Sequence, residues 1–260
     1  MKKYQFSSEI SQTIVNGILQ GYKNYIQERE LKKEEMRISS AYAWVKGNHI
    51  DDQTAEECET HGISYSKAKA GYTWGYLQFN LESERKMFII KNAKYFDTDN
   101  FPNTRHVTGK KGSKGEESYL KKLSRINRHV DFPSNMTFDF DSAREQNYVI
   151  FDDQTMKDLE EPQVQNLEEN CDQFYILTYE IDEANMISAL RLLMPNPSDN
   201  IAYEVEDLSG YIGTSTVNFD DVNPEILTDQ EEEFVGSTPA YEYGIYHESE
   251  LEDESEGTED

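Results

Sequence analysis

The chain has 260 residues, with 25 Lys and Arg against 51 Asp and Glu, and a formal charge of −26. Apolar residues make up 36 % and aromatic residues 12 %; the aromatic share is too high for a wholly disordered chain. No run approaches the ~18 apolar residues a membrane span needs, and Met1-Lys2-Lys3-Tyr4 leads into no apolar signal core, so the expected setting is soluble and cytoplasmic. Cys58 and Cys171 do not make a disulfide framework.

The charge is unevenly placed. Residues 1–130 hold 22 Lys/Arg and 16 Asp/Glu (+6), whereas 131–260 hold 3 and 35 (−32). A mildly basic half suits phosphate, and an acidic half suits repulsion, mimicry or shielding of it; solubility alone is the plainer reason for the carboxylates.

In chain order, Ser7 or Ser8 is placed to cap a long helix, with Glu9 near its positive end. Ile10, Ile14, Ile18, Tyr22 and Tyr25 follow helical spacing, and Gly17 and Gly21 on the same face predict close packing against another element. Gln27 to Arg37 is expected in solvent. Ser39 to Ile50 reads as a connection, followed by a short helix beginning near Asp51 or Asp52. From Gly71 the period becomes two: Tyr72, Trp74, Tyr76, Gln78 and Asn80 alternate with Thr73, Gly75, Leu77 and Phe79. Glu82-Ser83-Glu84 then turns the chain into a hairpin partner, Lys86 to Lys91.

The Gly109–Gly115 loop leads into a helix from Glu116 to about His129. Short strands are expected around Met136–Phe140 and Tyr148–Phe151. A hairpin follows, Phe174–Ile181 and Met186–Met194, with Ile201–Val205 as a third strand. From Asp229 there are 13 acidic residues and no basic ones, which predicts a disordered tail. The organisation is thus α+β: a long N-terminal helix on antiparallel hairpins, in a basic half (1–130), an acidic meander of the same globular unit (131–228) and the tail (229–260).

Chemistry-bearing residues are few. His49, Asp51 and Asp52 could serve as general base and orienter in phosphodiester hydrolysis, or hold a divalent metal; the same residues also suit a turn and a helix cap. No cofactor is otherwise evident, and the metal is left unassigned. Glu84-Arg85-Lys86 matches the E-x-K element of restriction-like nucleases, a short pattern that arises often by chance. For nucleic acid the candidates are Lys46, Lys67, Lys69, Lys110, Lys111, Lys114, Lys121, Lys122, Arg125 and Arg128. Tyr72, Trp74 and Tyr76 offer a stacking face beside Lys67 and Lys69, although a core face beneath the N-terminal helix explains them more simply.

Three segments carry a resemblance: Ala43–Asp52, Ala70–Phe79 and Tyr175–Pro195. They resemble a family of Gram-positive bacterial and prophage-borne proteins that includes growth-inhibitory toxins removed by the ClpXP protease and encoded beside a helix-turn-helix repressor/antitoxin. The resemblance spans most of residues 7–220. It implies a cytoplasmic toxin with a protein antidote, ClpXP as a further partner, and no transferred catalytic residues. The residues themselves leave two targets open: nucleic acid or its machinery, and a basic DNA-binding protein engaged by an acidic, DNA-mimicking half.

Overall fold

The computed structural model describes residues 1–70, 74–102, 118–133, 167 and 169–228. The strands expected at 136–140 and 148–151 and the acidic tail from 229 lie outside these residues.

Helix α1, Ser8–Glu35, starts where the capping signal stands, with the Ser7 hydroxyl accepting from the Ile10 N–H at 3.2 Å. Ile14, Ile18, Tyr22 and Tyr25 are fully buried. The polar end of the helix is mostly exposed, but Arg29 departs from the expectation and is buried. A 3-10 turn, Ser40–Val45, runs directly into α2, Lys46–Glu59. This helix therefore begins five residues ahead of Asp51, and neither Asp51 nor Asp52 caps it. The anticipated close packing is present: a Cβ on Gly17 would stand 2.6 Å from Thr54 Cα, and one on Gly21 2.5 Å from the His49 carbonyl oxygen. The two glycines let α2 cross α1 at backbone contact.

Six strands form one sheet in chain order: β1 Ser64–Ala70, β2 Trp74–Leu81, β3 Lys86–Asn92, β4 Gln173–Ile181, β5 Ile187–Pro195 and β6 Ala202–Asp207. Both hairpins and the third strand of the meander appear as the sequence predicts. The central pair is the exception, since β3 and β4 run parallel, with Phe88 opposite Tyr175 and Ile90 opposite Leu177. A parallel pair needs a long crossover, here the chain between Asn92 and Gln173.

Because β3 and β4 are central, they bury both faces. On one face Phe79, Phe88, Tyr175, Leu177 and Leu192 pack against α1 and α2. The Phe79 and Phe88 rings stack with centroids 4.7 Å apart. On the other face Met87, Ile89, Phe174 and Ile176 meet α3, Tyr119–Ser124, and the 3-10 turn Arg125–His129. Tyr76 packs on this second face, so α1 covers the Phe79 side of β2 and not the Tyr76 side. Asn127 locks the turn to the strand ends. Its amide donates to the Phe174 and Pro195 carbonyls at 2.8 and 2.9 Å, and its oxygen accepts from the Phe174 N–H at 2.8 Å.

The glycine contacts set a test. Gly21→Ala should lower stability by about 1–3 kcal/mol through overpacking, despite the better helix propensity of alanine. Gly47→Ala, where an added Cβ meets nothing within 4 Å, should raise it by up to ~1 kcal/mol. Urea unfolding of the two variants reads both signs, and equal effects would remove the close α1–α2 approach.

Candidate functional site

On α2, His49 and Asp52 stand three residues apart on one face, whereas Asp51 projects about 100° from Asp52 and about 160° from His49. The His49 ring lies 6.2 Å from that of Tyr25 on α1, Asp52 is exposed, and the Asp51 carboxylate turns inward to the sheet. The helix thus does not gather the three side chains at one point. Among the described residues no group of three or more His, Cys, Asp or Glu could hold a metal ion.

The inward carboxylate has a definite place. Paired residues of β2 and β3 run from Leu81↔Lys86 to Phe79↔Phe88. Two residues further along β2, the Leu77 N–H donates to Asp51 Oδ2 at 3.0 Å. A helix carboxylate therefore takes a backbone donor beyond the end of the ladder. Lys91, near the end of β3, places its ammonium 5.5 Å from the Tyr76 ring centroid and 5.1 Å from that of Tyr119. Gln78 donates to the Tyr76 hydroxyl at 3.1 Å, while the buried Tyr119 hydroxyl has no hydrogen-bond partner. Burial pushes the Asp51 carboxyl up to about 6, against the Leu77 bond and the Lys91 charge, which hold it down. Burial lowers the Lys91 ammonium, and Asp51 opposes that shift. Sequence reading missed Lys91 and Tyr119, since their meeting depends on how β2 and β3 part and on where α3 lands.

The cationic candidates separate into several groups. Lys67 is exposed on the edge strand β1, which also carries Lys69. Lys46 sits over the Tyr25 ring at 5.2 Å. Lys121 turns inward, donating to the Pro197 carbonyl and to Asn200 Oδ1. Lys122 and Arg125 are half-buried and Arg128 is exposed. Lys110, Lys111 and Lys114 lie outside the described residues. In the E-x-K segment, Lys86 is buried and pairs with Glu84, while Glu82 accepts from the Ser64 hydroxyl. Cys58 is buried and its thiol is pushed up to about 12, chiefly by desolvation, so it is no nucleophile at neutral pH.

Strand order carries the charge asymmetry of the sequence into the sheet. Strands β1–β3 contain Lys67, Lys69, Lys86 and Lys91 and no acid. Strands β4–β6 contain Glu180, Glu204, Glu206 and Asp207 against Arg191 alone. As sheet order equals chain order, one flank is lysine-bearing and the opposite flank carboxylate-bearing.

Comparison with protein-family models, with curated proteins and with solved structures finds no match.

Asp51 makes stability depend on pH with a defined sign. Its pKa is higher in the fold (about 6) than in the unfolded chain (3.8), so its contribution is full below about pH 4 and is lost as pH rises through 6. Wild type should therefore lose about 2 kcal/mol relative to Asp51→Asn between pH 4 and pH 7, the asparagine oxygen still accepting from Leu77. Parallel pH–stability curves for the two proteins would contradict the buried carboxylate.

Proposed function

We propose that this chain is a growth-inhibitory, toxin-type protein that acts by binding, its acidic flank occupying a basic protein that handles nucleic acid. The charge-segregated sheet is the observation that carries the reading. Glu180, Glu204 and Asp207 of β4–β6 are exposed on the flank of the sheet opposite β1, and Asp220 and Glu225 are exposed in the segment that follows. Such an array steers a basic partner and holds it in a salt-sensitive way. The family resemblance supplies the setting: a protein antidote encoded alongside, ClpXP turnover, and arrest of growth when the antidote is lost.

A second reading has one specific support. Edge strand β1, with exposed Lys67, offers cations to a nucleic acid directly. Catalysis through His49, Asp51 and Asp52 has less support, since Asp51 turns away from the other two to take the Leu77 N–H.

Tight induction in a bacterial host tests the reading. The full chain should arrest growth, and a His49→Ala/Asp52→Asn variant should arrest it equally. A Glu180→Gln/Glu204→Gln/Asp207→Asn variant should arrest it weakly or not at all at equal abundance. Normal growth with the wild-type chain, or arrest lost only with His49 and Asp52, contradicts the proposal; arrest lost only on Lys67→Gln transfers it to nucleic acid.

A further inference from the structure

The two edges of the sheet are treated differently. Along β6 the outer edge is partly taken: the Ala202 N–H donates to the Thr98 carbonyl at 2.7 Å, and Gln5 Nε2 donates to the Val205 carbonyl at 3.4 Å. Strand β1 pairs with β2 over all seven of its residues, from Ser64↔Asn80 to Ala70↔Trp74. Among the described residues no backbone group meets its other side. This edge also stands clear of the sheet centre. The last β2–β3 pair is Phe79↔Phe88, so the β1–β2 pairs from Ser66↔Gln78 to Ala70↔Trp74 run on beyond β3. In an antiparallel ladder alternate residues turn their N–H and C=O away from the partner strand. On β1 those groups form an open template for another strand.

The side chains of β1 select what can lie there. Ser64, Tyr65, Ser66 and Lys67 are exposed, and Ala68 is half-buried. Side chains alternate between the faces of a strand, so Ser64, Ser66 and Ala68 make one face of small residues, with Tyr65 and Lys67 on the other. The sequence adds a second lysine two positions on, Lys69. Lysine on an edge strand works against self-association. A second copy paired about a twofold axis at Lys67 would set Lys67 against Lys67, and like charges directly opposite are destabilising. The same lysine favours a carboxylate in that position. On the other face, the small side chains of Ser66 and Ala68 leave room for branched apolar neighbours.

We infer that β1 receives an extended segment of a protein partner as a seventh strand, one that alternates acidic with branched apolar residues, its carboxylates on the lysine face and its apolar side chains on the serine–alanine face. Main-chain bonds to β1 supply the affinity, and the two faces supply the specificity. This edge lies opposite the acidic flank, and the inference does not depend on the function proposed for that flank.

The test titrates the full chain with acetyl-Glu-Ile-Glu-Ile-Glu-Ile-amide, followed by backbone amide shifts and hydrogen exchange in NMR. The peptide should shift the amides of 64–68 and slow exchange at alternate positions among them. Glutamine in place of its glutamates should weaken binding several-fold. Two N-methylated versions carry the methyl groups on the isoleucine nitrogens or on the glutamate nitrogens. One of them should lose binding and the other keep it, because only alternate N–H groups of an added strand face β1. Lys67→Glu/Lys69→Glu should reverse the preference, so that acetyl-Lys-Ile-Lys-Ile-Lys-Ile-amide binds more tightly than the glutamate peptide. Equal binding of both N-methylated peptides, an unchanged order in the double variant, or slow exchange at every β1 amide in the peptide-free chain would overturn the inference. So would shifts of the same amides with protein concentration alone, which assign the edge to a second copy, or displacement of the peptide by a single-stranded DNA oligonucleotide, which assigns it to nucleic acid.

Discussion

The parallel pairing of β3 with β4 is what makes one sheet of two halves that are 80 residues apart in the chain. Its register begins at a clamp just ahead of both strands. Arg85, in the left-handed region at φ 53°, sends Nε and Nη2 to the two carboxylate oxygens of Asp172 at 2.9 and 3.0 Å, and Nη2 also to the Glu169 carbonyl at 2.7 Å. The Asp172 N–H returns a bond to the Arg85 carbonyl at 2.7 Å. As an exposed ion pair this adds little stability, but its two-pronged geometry aligns the strands. From there Met87 meets Phe174 and Phe88 meets Tyr175, so each helical layer finds an apolar face assembled from both halves.

The rest of the architecture follows from that junction. The N-terminal segment is tied to the second half, the Tyr22 hydroxyl of α1 donating to the Asn185 carbonyl in the β4–β5 turn at 2.7 Å and the Tyr175 hydroxyl to the Tyr4 carbonyl ahead of α1 at 2.8 Å, while the buried face of α1 shares one core with Phe79 and Phe88 of the first half. Joining the two antiparallel sets side by side also puts β1 and β6 at opposite edges, as far apart as the sheet allows. Charge that segregates along the chain is thereby kept apart between the outer strands of the sheet, with Lys67 on β1 and Glu204 and Asp207 on β6. A crossover that interleaved the two sets would have mixed lysines with carboxylates and removed the basis for a directional encounter with a charged partner.

Where local chemistry decides, the fold was legible. The cap at Ser7, the buried row from Ile14 to Tyr25, and the glycine contact all follow from spacing. The β4–β5 hairpin was also readable, because Asp182 is a turn former: its Oδ1 accepts from the Ala184 and Met186 N–H groups at 2.9 Å. Distant pairing decides the rest. Ser-Tyr-Ser-Lys-Ala-Lys-Ala has no apolar alternation, so β1 is a strand only through its ladder with β2. Asp51 and Asp52 have the composition of a cap, yet the 3-10 turn from Ser40 feeds α2 from upstream and leaves Asp51 free to reach Leu77. The two-sided burial of β3 hid which face belongs to which helix. Of the site, the charge asymmetry was visible in composition, whereas the Lys91 aromatic surround required the sheet.

Native-state hydrogen exchange of the full chain tests the central junction most directly. If β3 and β4 hold the two halves together, their amides and those of α1 from Ile14 to Tyr25 exchange only through one opening, at the highest free energy in the molecule, and share one denaturant dependence. Exchange of α1 with β1–β3 at a free energy distinct from that of β4–β6 would mean that the halves open independently, and the account of a sheet built on the parallel pair would fail.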